Sequence, residues 1–134
     1  MKNFILVLLI VSGFAFGCKE KSAVISENIE VVTPEEMKEL TQMEGVQLID
    51  VRTPGEYEEG FIEGFQNIDF MSDSFQDDIE KLDKTKPVIV YCKSGNRSGR
   101  CSKLMLEKGF QKIYDLGGGI EKWKLEGNEL KLIP

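Results

Sequence analysis

From residue 30 to the C-terminus, short runs of β-branched and aromatic residues alternate with polar segments whose apolar side chains recur at helical spacing. Val31-Val32 predicts a brief strand. Thr33-Pro34-Glu35-Glu36 carries a threonine cap, proline at the first helical position and a glutamate that closes a capping box, so a helix runs on to about Gln42. Residues 46–51 predict a second strand. Thr53-Pro54-Gly55-Glu56 repeats the capping box and opens a short helix ending near Gly60. Residues 66–70 read as a strand, and 74–82 as a helix with Phe75, Ile79 and Leu82 on one face. Pro87 opens Val88-Ile89-Val90-Tyr91, the most strand-like run of the chain. Residues 98–108 predict a helix with Cys101, Leu104 and Met105 on one face and Gly109 as its stop. Residues 113–116 form a further strand, three glycines make a turn, and 120–125 start a last helix. Such alternation predicts an α/β domain, a central and mostly parallel sheet with helices on both faces.

The first seventeen residues do not fit this alternation. Lys2 gives a short basic start, and residues 4–17 are an uncharged, mostly apolar run ending in Gly17, the layout of a secretory signal. The run is short for a membrane span, which takes about 20 apolar residues. It lacks the polar face of a core helix. Ala15-Phe16-Gly17-Cys18 resembles a bacterial lipoprotein processing site, where the cysteine is acylated and becomes the mature N-terminus. Leucine is usual where Ala15 stands, and Phe16 is bulky. Ordinary cleavage would instead leave Cys18 as a free thiol, a liability in an oxidising compartment. The expected organisation is a signal at 1–17, a lipidated N-terminus and polar tether at 18–29, and one domain at 30–134. The product is exported, periplasmic or at the cell surface, and held to a membrane through Cys18.

Charge narrows the function. The chain carries a formal −6, and loss of Lys2 with the leader takes this to −7. An acidic protein is a poor partner for nucleic acid. An anionic substrate would therefore have to be held by a local basic pocket. The chain has no histidine, which excludes Ser-His-Asp and Cys-His nucleophile arrangements and removes the commonest metal ligand. Three cysteines without C-x-x-C spacing point to no zinc site, and Gly117-Gly118-Gly119 lacks dinucleotide-binding spacing. No metal and no cofactor are expected.

One segment concentrates chemistry. The strand 88–91 runs into Cys92-Lys93-Ser94-Gly95-Asn96-Arg97, and Ser98 begins a helix. Ligand sites of parallel sheets lie at the carboxyl ends of strands. A small, glycine-containing loop there turns its backbone N–H groups inward beside a helix N-terminus, an arrangement that favours negative charge. The same field, with Lys93 and Arg97, favours thiolate over thiol at Cys92. An ionised sulfur needs no general base, in keeping with a chain without histidine. Taken alone, Cys92 reads equally as a small core residue and the two cations as solvated charges. The combination of loop, helix start and cations favours a nucleophile.

Cys92-Lys93-Ser94-Gly95-Asn96-Arg97-Ser98 resembles the active-site loop of single-domain rhodaneses. Two more blocks share the resemblance, from Leu48-Ile49-Asp50-Val51-Arg52 through Glu56-Tyr57 to Ile68, and from Gly109-Phe110 through Gly117-Gly118-Gly119-Ile120 to Trp123. It covers about residue 30 to the C-terminus. It implies a sulfurtransferase whose Cys92 cycles between thiolate and persulfide. Backbone amides from Lys93 to Ser98 would cradle the persulfide, and Lys93 and Arg97 would attract an anionic donor such as thiosulfate. The acceptor would be a thiol or cyanide-like nucleophile, and the protein a monomer. Asp50 and Arg52 would support the loop, although a structural ion pair explains them equally well. Phe61 stands where the family usually has histidine. Cys101 reads as a core residue or as a resolving thiol for Cys92, the latter requiring Cα atoms within about 7 Å.

Two other functions fit the same fold class. Cysteine phosphatases and arsenate reductases place five residues between cysteine and arginine, where Lys93, Ser94, Gly95 and Asn96 are four. The tighter loop suits one sulfur atom better than a tetrahedral phosphate. A non-enzymatic sulfur carrier or binding module is the third reading, opposed by the intact loop.

Overall fold

The computed structural model describes residues 27–134. The expected leader, Cys18 and most of the expected tether lie outside these residues. Five strands form one sheet in the order β1-β5-β4-β2-β3, every pair parallel. They are β1 (Ile29–Val32), β2 (Gln47–Asp50), β3 (Gln66–Asn67), β4 (Val88–Tyr91) and β5 (Ile113–Leu116). Between and after them come α1 (Pro34–Leu40), α2 (Pro54–Glu58), α3 (Phe75–Glu80), α4 (Asn96–Glu107) and α5 (Gly119–Leu125). The parallel α/β architecture expected from the alternation is the one observed.

Both capping boxes form. Thr33 accepts from the Glu36 amide and Thr53 from the Glu56 amide, while each glutamate returns to the threonine backbone N–H. Pro34 and Pro54 occupy the first helical turn, where a missing N–H costs nothing. The principal differences from expectation are at element ends. The ordered domain already includes Asn28, whose side chain donates to the Gln111 carbonyl, and β1 begins at Ile29. The strand expected at 66–70 has only two ladder residues, although Ile68 and Phe70 still donate to the backbone of Asp50 and Val51. The helix expected from Ser98 begins at Asn96, because Gly95 takes φ +104° and turns the chain into its first turn.

Side-chain alternation along the strands divides the core between two faces. One face packs Ile49, Val88, Val90 and Ile113 against Phe75 and Ile79 of α3 and Cys101 and Met105 of α4. The other packs Val32, Ile89, Tyr91 and Leu116 against Met37 of α1 and Ile120 and Trp123 of α5. All four residues of β4 are buried, as befits the middle strand of a sheet covered on both sides. Cys92 continues the alternation onto the α3–α4 face.

Candidate active site

Cys92 follows the carboxyl end of β4, with α4 rising from the loop beyond it. Its Sγ accepts the Gly95 N–H at 3.1 Å and lies 3.4 Å from the Ser98 hydroxyl, to which the thiol donates. The 12-residue α4 starts beside this sulfur, so its unpaired N-terminal amides add a positive field. The residue is only 1% exposed.

The loop is fixed from below by α5. The amides of Ile120 and Glu121 donate to the carbonyls of Cys92 and Lys93 at 2.9 and 3.1 Å. Those two loop carbonyls are thereby paired with α5, while Sγ itself takes the Gly95 N–H. Such an approach demands glycine at 119, where a Cβ would stand 2.5 Å from the Lys93 oxygen and φ is +60°. The glycine run predicted as a turn is therefore also the floor of the loop.

Of the two expected cations, Arg97 lies in the first turn of α4 and is held by Glu56 of α2. Its two terminal nitrogens donate to the two carboxylate oxygens at 2.7 and 2.8 Å. Glu56 also accepts from the Thr53 N–H and hydroxyl, and these donors, Arg97 first, hold its pKa down to about 2. Arg97 is raised in turn, chiefly by Glu56, with Cys92 contributing. Lys93 is largely exposed, its Nζ 3.8 Å from Glu121. Ser94 and Asn96 are exposed, while Ser98 is buried.

Asp50 and Arg52 lie on the opposite face of the sheet from Cys92. Arg52 donates to both Asp50 oxygens and to the Gly60 carbonyl, and Asp50 accepts the Tyr91 hydroxyl at 2.6 Å. The Tyr91 hydroxyl in turn accepts the Ile62 N–H. This buried network pins the residue before Cys92 without reaching the sulfur. Cys101 is fully buried and free, and Cys92 is free as well, so Cys101 is placed as a core residue. Burial pushes its thiol far up, keeping it neutral.

Sequence reasoning did not single out Glu56, Gly119 or Asp115 as site residues. The first two carried a visible signal, a capping-box glutamate and a glycine run, but each has a second role that only the fold reveals. Asp115, at 6% exposure beside α4, lay within the third block of the resemblance but read there only as a strand residue.

A covered parallel sheet with one cysteine sulfur at the carboxyl end of its middle strand, beside a helix N-terminus, defines a class of α/β proteins built around a strand–loop–helix cysteine. Residues 33–126 match the model of the rhodanese-like domain, and the chain belongs to that family. Among curated proteins, it is 33% identical over 100 residues to the thiosulfate sulfurtransferase GlpE of Pseudomonas paraeruginosa, covering 75% of this chain and 88% of the relative. It is 39% identical over 93 residues to the uncharacterized protein YqhL of Bacillus subtilis, covering 65% and 72%. The fold superposes on a rhodanese-related protein from Thermoplasma volcanium with a TM-score of 0.68 at 27% identity, covering 77% of this chain and 98% of that one. A rhodanese-like domain protein from Staphylococcus aureus gives 0.66 at 26% identity, with 78% and 98% covered.

Proposed function

We propose that this protein transfers sulfane sulfur from an anionic donor such as thiosulfate to a thiophilic acceptor through a persulfide on Cys92. The observation that carries this reading is the hold on Sγ, a backbone N–H at 3.1 Å at the start of a 12-residue helix. Negative charge on the sulfur is stabilised there in both resting and loaded states. In the first half-reaction the Cys92 thiolate attacks the outer sulfur of thiosulfate. A new S–S bond forms, the old one breaks, and its electron pair leaves with sulfite. In the second, an acceptor thiolate or cyanide attacks the outer sulfur of the persulfide, and Sγ departs as thiolate. Charge and sulfur balance in each step, and neither needs a general base. The thiosulfate sulfurtransferase relatives support the same reading.

The acidic field of the chain, formally −6, opposes an anionic donor, so Lys93 and the part of Arg97 that Glu56 leaves unmatched supply the local attraction. The protein acts as an exported monomer, held to a membrane by a lipid on Cys18, which the apolar leader and the polar stretch after it support. Intact-mass measurement before and after thiosulfate tests the central claim. Gain of one sulfur atom on wild-type protein and none on Cys92→Ser is the expected result. Sulfur retained by Cys92→Ser would overturn it.

A further inference from the structure

The match to the rhodanese-like domain ends at Glu126, yet the residues after it are tied back into the domain. The Asn128 N–H donates to the Trp123 carbonyl at 3.2 Å, and the Trp123 indole N–H donates to the Glu129 carbonyl at 2.9 Å. Leu130 is partly buried on the core face that holds Ile62 and Tyr91. Its Cδ1 lies 3.1 Å from where a Cβ on Gly60 would stand. Lys131 exchanges two backbone bonds with Phe61, donating at 2.8 Å and accepting at 2.9 Å, as an isolated antiparallel bridge. Residues 128–131 thus form a strap anchored on Trp123 at one end and on Phe61 at the other.

Phe61 stands between the two residues that grip the end of β4. The Gly60 carbonyl accepts Arg52 Nη2 at 2.7 Å, and Arg52 donates to both oxygens of Asp50. The Ile62 N–H donates to the Tyr91 hydroxyl at 3.0 Å, and that hydroxyl donates to Asp50 at 2.6 Å. Three successive residues therefore take Arg52, the strap and Tyr91 in turn. Tyr91 is fully buried and immediately precedes Cys92, and its carbonyl accepts the Val51 N–H at 3.0 Å.

We propose that the strap is a positioning element for Cys92, acting through Phe61 on the bonds that hold Tyr91. The proposal rests on the reading of Cys92 as the sulfur carrier. Every link is a short hydrogen bond or a peptide bond, from Lys131 to Phe61, to Ile62, to Tyr91 and so to Cys92. The strap itself is held by few contacts. The Lys131 Nζ is 4.0 Å from Glu63, with both side chains at least half exposed, and adds little. A segment held this way opens locally without unfolding the sheet. The sulfur, in contrast, depends on a single 3.1 Å bond from the Gly95 N–H, and small displacements of a reacting atom cost rate steeply.

The test compares four full-length proteins: wild type, a stop after Asn128, Lys131→Pro and Lys131→Ala. Proline at 131 removes the N–H given to Phe61, whereas alanine keeps both backbone bonds and loses only the contact with Glu63. Sulfite release from thiosulfate gives kcat and KM, and amide hydrogen exchange by NMR reports on single bonds. In the stop and proline variants kcat should fall about three- to tenfold with KM within about twofold. The Ile62 and Gly95 amides should exchange faster, while Lys108, bonded to Leu104 at the far end of α4, should keep its protection. Lys131→Ala should match wild type. Unchanged kcat and Gly95 exchange in both strap variants would overturn the proposal, and so would a rise in KM alone. Faster exchange at Lys108 as well would make the strap a general brace and equally overturn it. Damage from Lys131→Ala equal to that from proline would overturn the backbone route. Wild type that gains no sulfur, with Gly95 still loosened in the strap variants, would refute sulfur transfer and leave the coupling standing.

Discussion

The Arg97 guanidinium is met by the Glu56 carboxylate through two short parallel hydrogen bonds, 2.7 and 2.8 Å, joining the first turn of α4 to α2. A bidentate pair of this kind fixes geometry as well as charge. Its anion is held at about 2, below the ordinary 4.5, so the pair is intact above about pH 4.5 and dissolves only as pH falls toward 2. At neutral pH Glu56 therefore tempers the attraction that Arg97 exerts on an anionic donor. Glu56→Gln keeps an acceptor for Thr53 but removes the charge. It should lower KM for thiosulfate about two- to fivefold, the scale of a partly exposed ion pair, and leave an uncharged persulfide donor unaffected.

Arg97→Ala should act in the opposite sense, raising KM for thiosulfate more than for the neutral donor, and Lys93→Ala should do so more weakly because Lys93 is largely exposed. Arg97→Lys should not restore wild-type behaviour, since an ammonium cannot match two carboxylate oxygens at once. Donor competition at two salt concentrations is the assay. Equal losses for charged and neutral donors would mean that these residues hold the loop's shape and carry no electrostatic role.

Gly119→Ala should disable the loop without touching any side chain that meets substrate. The added methyl would collide with the backbone of Cys92 and Lys93 at 2.5–2.6 Å, and the +60° φ alone costs about 1–2 kcal/mol for a residue with a Cβ. Sulfite release should fall at least about tenfold if the loss of loop geometry costs a further 1.4 kcal/mol at the transition state. Gly55→Ala, where a Cβ meets nothing within 4 Å, is the control and should be active. Comparable activity in the two proteins would remove the floor role assigned to Gly119.

The cysteines should separate cleanly. Cys92→Ser should abolish sulfite release from thiosulfate, whereas Cys101→Ala should retain most of it. The cost of Cys101→Ala is in packing, about 1 kcal/mol for a buried group of this size. Thermal melts and sulfite assays on both variants decide the point, and an inactive but well-folded Cys101→Ala would contradict it.

Asp115 should leave its mark on stability against pH. Its carboxyl rises from 3.8 to about 6 on folding, so between those values the folded chain binds more protons than the unfolded one. Stability from this group is therefore unaffected below about pH 4, falls as pH rises to about 6, and stays reduced above it. Asp115→Asn should be stabilising near pH 8 by about 1–3 kcal/mol and close to neutral near pH 4. Denaturant melts at the two pH values measure this difference, and an equal effect at both would show that the carboxyl is not buried as a strained anion.

Much of this architecture was readable in the chain itself. The two capping boxes, with Thr33 and Thr53, and the apolar run 88–91 are strong local signals, and each element appeared near its expected place with shifts at its ends. Gly95 was legible as a loop residue, but the early start of α4 was not, because its left-handed φ depends on closure of the loop around the sulfur. Asp50 and Arg52 read as one step from the loop, yet strand alternation puts Asp50 with Tyr91 on the far face. The Arg97–Glu56 match spans 41 residues of sequence and joins two helices, so no periodicity could announce it. Asp115 was hidden in a strand pattern, where a lone acid looks like a solvent-facing position until the covering helix is in place.

Cys18 itself lies outside the described residues, and its lipidation is testable by labelled fatty acid, which should enter wild type and not Cys18→Ala. Recovery of a cytoplasmic protein that keeps Met1 would exclude it.

Because every strand runs in the same direction, the sheet has two unlike poles. The chain enters β1 at the amino pole and at one edge, whereas Cys92 crowns the carboxyl pole of the middle strand. Four-residue strands set the two poles about 13 Å apart at 3.3 Å per residue. A domain moored by what precedes Glu27 would thus be tied at its stern, with its sulfur at the bow. Such an orientation would favour partners arriving from the open solution and disfavour those embedded in the surface to which it is moored.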